Sequence, residues 1–480
     1  MAETIEPRVM QVLVTLARQR GKVVSRDELV ERCWEGRAVS EDAINRSIAK
    51  VRRLGEACGE FVLETIPRVG YRLTEATGAT AEITARDDKV WTRFHPVTRR
   101  RLLGAALLAS VAGFTIWAGL RDGANPRVAE LMQLGRQALR EELPDSDAQG
   151  AGFFREAVSI EPDNAEAWGL LALALRNAVE NAPPRDTTET VRACELAARR
   201  ALSLDPLEGN ALAALAGLQP FFGDWLAAED RLRGVLAIAP GNVAAIGELV
   251  TLLQSVGRCR DSWVWNERAA ALDPLSPVPQ YRRALKHWIF GRVSEADLAI
   301  DRALQLWPRH PGVWNSRLQI FAFTGRAPAA LALIADEPAR PPTFSRQAYD
   351  LWRTSLVALD SGDPKDVSAA RKANVEAAPR SPGFANNAVM VLSLLGEIDA
   401  AFAVTDGYLL RRGALVGRLW TGNGQMPVND QRWRRTMMLF TPATAALRAD
   451  PRFGELCAGI GLADYWRRRA IQPDFPIAAV

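Results

Sequence analysis

A chain of 480 residues is too long for one ordinary core, and its 48% apolar content excludes general disorder. Its net charge is only +4, and the 19 basic and 15 acidic residues before position 102 carry that whole surplus. Five cysteines and three scattered histidines (His95, His287, His310) show no CxxC pair and no metal-ligand spacing, so no cofactor and no enzyme are expected.

In chain order, the spacing predicts a first helix from Pro7 to Arg18, with Val9, Val12, Leu13 and Leu16 on one side. Pro7 suits its first turn and Gly21 its end. The stretch "VVSRDELVERCW" sets two β-branched residues before Ser25, with Glu28 three residues later, a capping box that opens a second helix. A third helix starts at Ser40, "SEDAINRSIAKVRRLGEA". At about 100° per residue, Ile44, Ile48 and Val51 share a side that should be buried. Arg46, Lys50 and Arg53 share the opposite side, with Ala49 between them and Asn45 and Arg52 at the flanks. Such a helix suits a major groove: arginines reach phosphates or guanine edges, and Asn45 can read adenine. The same pattern also fits a solvated surface helix. "FVLETIPRVGYRL" (Phe61–Leu73) then alternates as a β-hairpin turning at "PRVG", so three helices closed by a basic-tipped hairpin form a winged helix-turn-helix.

Those motifs, in that order and spacing, resemble the OmpR/PhoB-type DNA-binding domain. The resemblance lies in the "VVSRDEL" opening, Trp34 at the end of the second helix, a recognition helix ending in "VRRL", and the T-x-P-R-x-G-Y-R wing. It implies that Arg46, Lys50 and Arg53 face the groove and that Arg68 at the wing tip reaches a minor-groove phosphate. The expected DNA-binding set is therefore Asn45, Arg46, Lys50, Arg52, Arg53 and Arg68 within a domain of residues 1–75, with double-stranded DNA as partner. Fewer residues precede Pro7 than the strands with which the family usually begins, and no fused receiver domain is expected.

Residues 76–101 read as a polar linker, and residues 102–120 are uncharged. As a helix that run would be nearly 30 Å long, enough to cross a bilayer. Arg93 and Arg99–Arg101 before it put the N-terminus in the cytoplasm, and Trp117 suits an interfacial anchor. The alternative is a buried helix packed into the rest of the protein. A winged helix followed by one transmembrane helix resembles the ToxR/CadC group of membrane-bound one-component regulators. That resemblance implies a single-pass protein of the cell inner membrane.

Beyond it a repeat sets in. Prolines stand at 162, 206, 240, 274 and 308, the last three steps being 34 residues each. Gly223, Gly257 and Gly291 precede Pro240, Pro274 and Pro308 by 17 residues, and Gly325 precedes Pro342 by the same distance. The beat resumes after a short insertion at Gly362, Pro379 and Gly396, and Ala157, Ala201, Ala269 and Ala303 sit five residues before their prolines. This resembles tetratricopeptide repeats, in which each helix pair buries its apolar stripe on the next. A solenoid is expected over 121–440 and a capping segment over 441–480. "TGNGQ" (Thr421–Gln425) lacks the context of a phosphate loop and reads as a plain loop. Trp263, Trp265, Trp288 and Trp314 fit core positions, with a ligand groove as the alternative. Cys194 and Cys259 lie two units apart, beyond the reach of about 7 Å that a bridge between them needs.

The fold class expected is thus mainly α: an N-terminal winged helix, one transmembrane helix and a tetratricopeptide-like α-solenoid. The function expected is a membrane-anchored transcriptional regulator that senses a signal through the solenoid. Its partners would be DNA, the membrane, a peptide, protein or small ligand, and a second copy in a homodimer. A repeat scaffold for protein–protein interaction is the alternative.

Overall fold

The computed structural model describes residues 7–18, 23–25, 28–29, 32–33, 47–48, 50–52, 61–66, 70–75, 125–141, 143, 145–181, 184–415 and 434–477. The chain divides into two compact units, Met1–Ala105 and Ala106–Val480.

In the first unit, helix α1 (Pro7–Arg18) is followed by strands β1 (Val23–Ser25), β2 (Phe61–Ile66) and β3 (Gly70–Glu75). Residues 28–29, 32–33, 47–48 and 50–52 are helical. The apolar spacing of α1 does what it predicts: Val9, Val12 and Leu16 are buried and Leu13 packs at their edge. They meet Leu29, Cys33, Ile48 and Val51 from the helical stretches and Leu63, Tyr71 and Leu73 from the sheet. Ser25 caps the second helical stretch, its Oγ accepting the Glu28 backbone N–H at 3.1 Å. The hairpin expected at 61–73 gains a third strand. β1 pairs antiparallel with β3, giving the order β1-β3-β2 with Val24 opposite Tyr71 and Leu63 opposite Leu73. Three residues are too few to show an alternating pattern, so this strand was hidden in the sequence.

The second unit is an array of antiparallel helix pairs. Its helices are α2 (Pro126–Glu141), α3 (Ser146–Ile160), α4 (Ala165–Asn181), α5 (Pro184–Leu204), α6 (Gly209–Leu218) and α7 (Trp225–Ile238). They continue as α8 (Val243–Ser255), α9 (Cys259–Leu272), α10 (Pro277–Ile289), α11 (Val293–Leu306), α12 (Pro311–Ala322) and α13 (Ala327–Ala335). The last pairs are α14 (Arg346–Ser361) with α15 (Pro364–Ala377) and α16 (Pro382–Leu394) with α17 (Ile398–Thr405). Gly223, Gly257, Gly291, Gly325, Gly362 and Gly396, the glycines of the beat, all have φ between +62° and +83°. Each lets the chain turn from one helix into the next at a conformation L side chains resist. Ala157, Ala201, Ala269 and Ala303 are buried where helices cross. The long first step of the repeat comes from α4 and α5, of 17 and 21 residues. Two residues after Pro162, Pro206, Pro240 and Pro308 stands a side chain that caps the next helix. Asn164, Glu208, Asn242 and His310 accept the backbone N–H of Ala167, Ala211, Ala245 and Val313 there.

One part of the expected fold class is corrected. Among the described residues no helix is long and apolar enough to cross a membrane. The run at 102–120, where the sequence placed that helix, lies outside the described residues, as do the linker 76–101 and Thr421–Gln425. Burial in the helix array comes from stacked amphipathic stripes rather than from any uniformly apolar helix. The architecture found is mainly helical, with a small N-terminal β-sheet and a helical-repeat solenoid.

Trp288 and Trp314 are buried in the solenoid core, where Trp288 stacks on Phe323 and Trp314 meets Tyr349 edge-on. Trp263 is half-buried against His287 and Phe290, and Trp265 carries the Arg268 guanidinium over its ring. Cys194 and Cys259 are free and buried, and burial pushes both thiols up to about 12. Lys286 of α10 is buried and donates to the Gln254 amide oxygen and, at 2.7 Å, to Ser262 Oγ. Burial lowers its ammonium to about 7.

After the last pair the chain returns to the middle of the array. The short helices α18 (Ala445–Ala449), α19 (Arg452–Gly459) and α20 (Leu462–Arg469) lead into a terminal segment against α7, α8 and α9. Trp225 Nε1 donates to Ile460 O and Trp466 Nε1 to Val256 O, both at 2.8 Å. Asp474 N donates to Gly257 O at 2.9 Å, and Asp474 Oδ2 accepts Arg260 N at 2.8 Å. At the centre of this seam lies Glu229, only 1% exposed. Its carboxylate accepts from Arg233 and Arg258 at 2.8 Å and from the Tyr465 hydroxyl at 2.8 Å, with Arg469 Nε at 3.1 Å. Burial opposes the charge, but Tyr465, Arg233 and Arg258 outweigh it and hold the carboxyl below its ordinary range.

Candidate functional site

Two places carry candidate function, one in each unit. In the first, Ile48 and Val51 are buried in the domain core, while Lys50 and Arg52 on the same helical stretch are exposed. Lys50 lies about 200° round the helix from Ile48, whereas Arg52, four residues on from Ile48, sits at the rim of the buried side. A dry side thus anchors the stretch and leaves its cations at the surface. Asn45, Arg46, Arg53 and Arg68 lie outside the described residues. On the hairpin beside that stretch, Arg72 of β3 faces Glu64 of β2 across the ladder and binds it through Nε at 2.9 Å and Nη2 at 2.7 Å. Arg72 therefore serves the pairing of β2 with β3.

In the second unit, the first helices of successive pairs, α2, α4, α6, α8 and α10, line a well of about 940 Å³. Its wall is polar. Arg136 pairs with Glu166 at 2.6 Å, Arg140 with Asp273 at 3.4 Å and Arg176 with Glu248 at 2.8 Å. Asn242 Nδ2 donates to Asn210 Oδ1 at 3.0 Å, and Asn177 Nδ2 to Asp147 at 3.1 Å. Arg282 reaches back one unit to donate to Gly247 O and Thr251 Oγ1, each at 3.2 Å. Arg435, from the returning tail, completes the wall. Burial would raise the Glu248 carboxyl, but Arg176, then Arg435 and Arg282, hold it below its ordinary range.

Beside the well, the end of α2 is tied to later pairs. Besides the Arg140–Asp273 pair, His310 bonds Glu141 O through Nε2 at 2.9 Å. His310 Nδ1 accepts the Val313 N–H as an N-cap, so the ring proton sits on Nε2 and is donated to Glu141. The tryptophans weighed as groove residues do not line this well. Sequence reading missed its arginines and asparagines, although one signal was available. Ala214, Glu248, Arg282 and Ser316 occupy one position of successive 34-residue units, and the middle two break an otherwise small, uncharged series.

Comparison with known proteins places the first unit. Residues 3–73 match the family described as "Transcriptional regulatory protein, C terminal". The transcriptional activator CadC of Escherichia coli (strain K12) is 33% identical over 73 residues, which are 15% of this chain and 14% of that protein. The similarity thus spans about a seventh of that relative's length. Among solved structures, yeast Tom70 is similar over 61% of this chain and 62% of its own, at 15% identity and a TM-score of 0.35. The tetratricopeptide domain of P58(IPK) is similar over 61% of this chain and 94% of its own, at 14% identity and a TM-score of 0.20. The repeat assignment rests on this chain's own paired helices and 34-residue beat. Residues 3–73 are a transcriptional regulatory domain of the OmpR/PhoB type, joined in one chain to a solenoid of tetratricopeptide-like helix pairs.

Proposed function

We propose that the chain is a one-component transcriptional regulator. Its winged helix binds duplex promoter DNA, and the solenoid takes up a signal that changes the pairing of DNA-binding units. The observation that carries this is the helical stretch with Ile48 and Val51 dry and Lys50 and Arg52 exposed, inside a domain of a DNA-binding family. Arginine and lysine supply salt-dependent affinity through the phosphates, and side chains at the groove supply the choice of sequence. CadC is named a transcriptional activator, which supports regulation of transcription as the output.

Titration of the full chain with duplex DNA at several salt concentrations tests the reading. A steep fall of affinity with salt is expected, and Arg46→Ala, Lys50→Ala and Arg52→Ala should each weaken binding. Loss of one phosphate contact lowers the slope by about 0.9. A flat salt response, or unchanged affinity in all three variants, overturns it in favour of a protein-interaction scaffold.

A further inference from the structure

We propose that the well on the inner face of the solenoid binds a compact anion that also bears an N–H or O–H group, and that Arg282 receives the anion. The chemical class is a hydroxy- or amino-carboxylate or a sugar phosphate. This rests on the regulator reading and gives its signal a chemistry.

Size comes first. A well of about 940 Å³ falls at the upper end of the range of small-molecule sites. The Arg140–Asp273 pair at 3.4 Å and the His310–Glu141 bond at 2.9 Å tie the first helix to later pairs beside it. An array tied to itself there suits a compact ligand better than an extended chain.

Charge comes second. The guanidiniums of Arg176, Arg435 and Arg282 all act on the carboxylate of Glu248, which Arg176 holds in an ion pair at 2.8 Å. Arg282 donates to a backbone carbonyl and a threonine hydroxyl, both neutral and both at 3.2 Å, and among the described residues it has no carboxylate within ion-pair distance. A half-buried guanidinium held by two neutral acceptors keeps donors for a planar anion, which it binds as a fork.

A third observation points to the rest of the ligand. Asn266 is 1% exposed and lines the well; its Nδ2 donates to Pro279 O at 2.9 Å, while its Oδ1 has no partner among the described residues. A buried acceptor without a donor costs free energy that a ligand N–H or O–H would recover.

Calorimetric titration of the full chain at fixed ionic strength tests this, with citrate and glucose 6-phosphate as the anions, glucose as the neutral control and a deca-glutamate peptide as the extended one. Saturable one-to-one binding of at least one of the two anions is expected, and glucose should not bind. Arg282→Gln should weaken that binding at least tenfold, since a charge-assisted fork is lost. Arg282→Lys, which keeps the charge, should lie between. Thr251→Val, which removes one acceptor that positions Arg282, should also weaken binding and leaves the fold intact if Arg282→Gln does not. The proposal is overturned if neither anion binds at about 10 mM, if binding is equal in wild type and all three variants, or if only the peptide binds. Duplex-DNA titration of the same preparations separates the two readings. Anion binding without DNA binding refutes the regulator alone, and DNA binding without anion binding refutes the site alone.

Discussion

Replacing Glu229 by glutamine should release the C-terminal tail from the middle of the solenoid. The carboxylate receives three donors, from Arg233, Arg258 and Tyr465, and has Arg469 within ion-pair distance, while being 1% exposed. Removing one partner of a buried ionic network costs about 3–5 kcal/mol; here Arg258 keeps Asp261, Arg469 keeps Asp230 and Arg233 reaches solvent. Glutamine keeps the shape and one acceptor oxygen, so the low end, about 3 kcal/mol, applies. At about 1.4 kcal/mol per tenfold, the open form of the seam becomes more populated by roughly 150-fold. Hydrogen exchange reads this directly. The amides of Asp474, bonded to Gly257 O at 2.9 Å, and Arg260, bonded to Asp474 Oδ2 at 2.8 Å, close only when the tail is seated. Their exchange at neutral pH should accelerate by about that factor, while amides of α14 stay unchanged. The pH response gives a second check. The Glu229 carboxyl is held below its ordinary 4.5, so it stabilises the seam above that pH, and the contribution fades as pH falls through the lowered value. The Glu229→Gln variant should lack that part of the acid dependence. Exchange within about threefold of wild type would refute the reasoning and put the network with surface ion pairs, worth about 0–1 kcal/mol.

Lys286→Met should change how stability responds to alkali. The folded ammonium titrates at about 7 and an ordinary lysine at 10.5, so between those values the unfolded chain holds more protons and wild-type stability climbs with pH. Urea midpoints measured across that interval should show the climb in wild type and less of it in the variant; parallel curves would remove Lys286 from the account. Two glycine substitutions should differ in cost. At Gly257, φ is +79° and an added Cβ would lie 2.8 Å from Phe440 and 2.9 Å from Pro473, so Gly257→Ala adds overpacking to backbone strain and should cost about 3 kcal/mol. At Gly291, φ is +73° with open space around it, so Gly291→Ala should cost about 1 kcal/mol. Equal losses in thermal unfolding would mean that the tail yields at Phe440 and Pro473.

Local chemistry was legible in the chain and distant chemistry was not. Ser25 with Glu28 announces a helix start, Val9, Val12 and Leu16 announce a buried stripe, and the glycine–proline beat announces helix pairs with their turns. Each of those signals lies within one element or repeats at a fixed interval. The N-caps two residues after the prolines were equally readable, but Asn, Glu and His in turn disguise one role behind three residue types. The well is different, since Arg136, Glu248, Arg282 and Arg435 meet only through the curvature of the array. No period connects Trp225 to Ile460 or Trp466 to Val256, partners separated by 235 and 210 residues. Of the proposed DNA contacts, Lys50 and Arg52 can be placed because their neighbours Ile48 and Val51 enter the core. The expected transmembrane helix rested on length, hydropathy, the preceding arginines and Trp117, and among the described residues no helix is long and apolar enough to cross a membrane.

The return of the tail also sets an order in time. Helix pairs built from local contacts can close soon after they leave the ribosome, but the Trp225 indole cannot find its acceptor until Ile460 has been made, 235 residues later. At about 5–20 residues per second, that interval is about 10–50 s. Throughout it the seam along α7, α8 and α9 stays bare, with Glu229 lacking Tyr465 and Arg469. A nascent chain of this kind offers chaperones a defined window and a defined surface, and synthesis that stalls before residue 460 leaves both open.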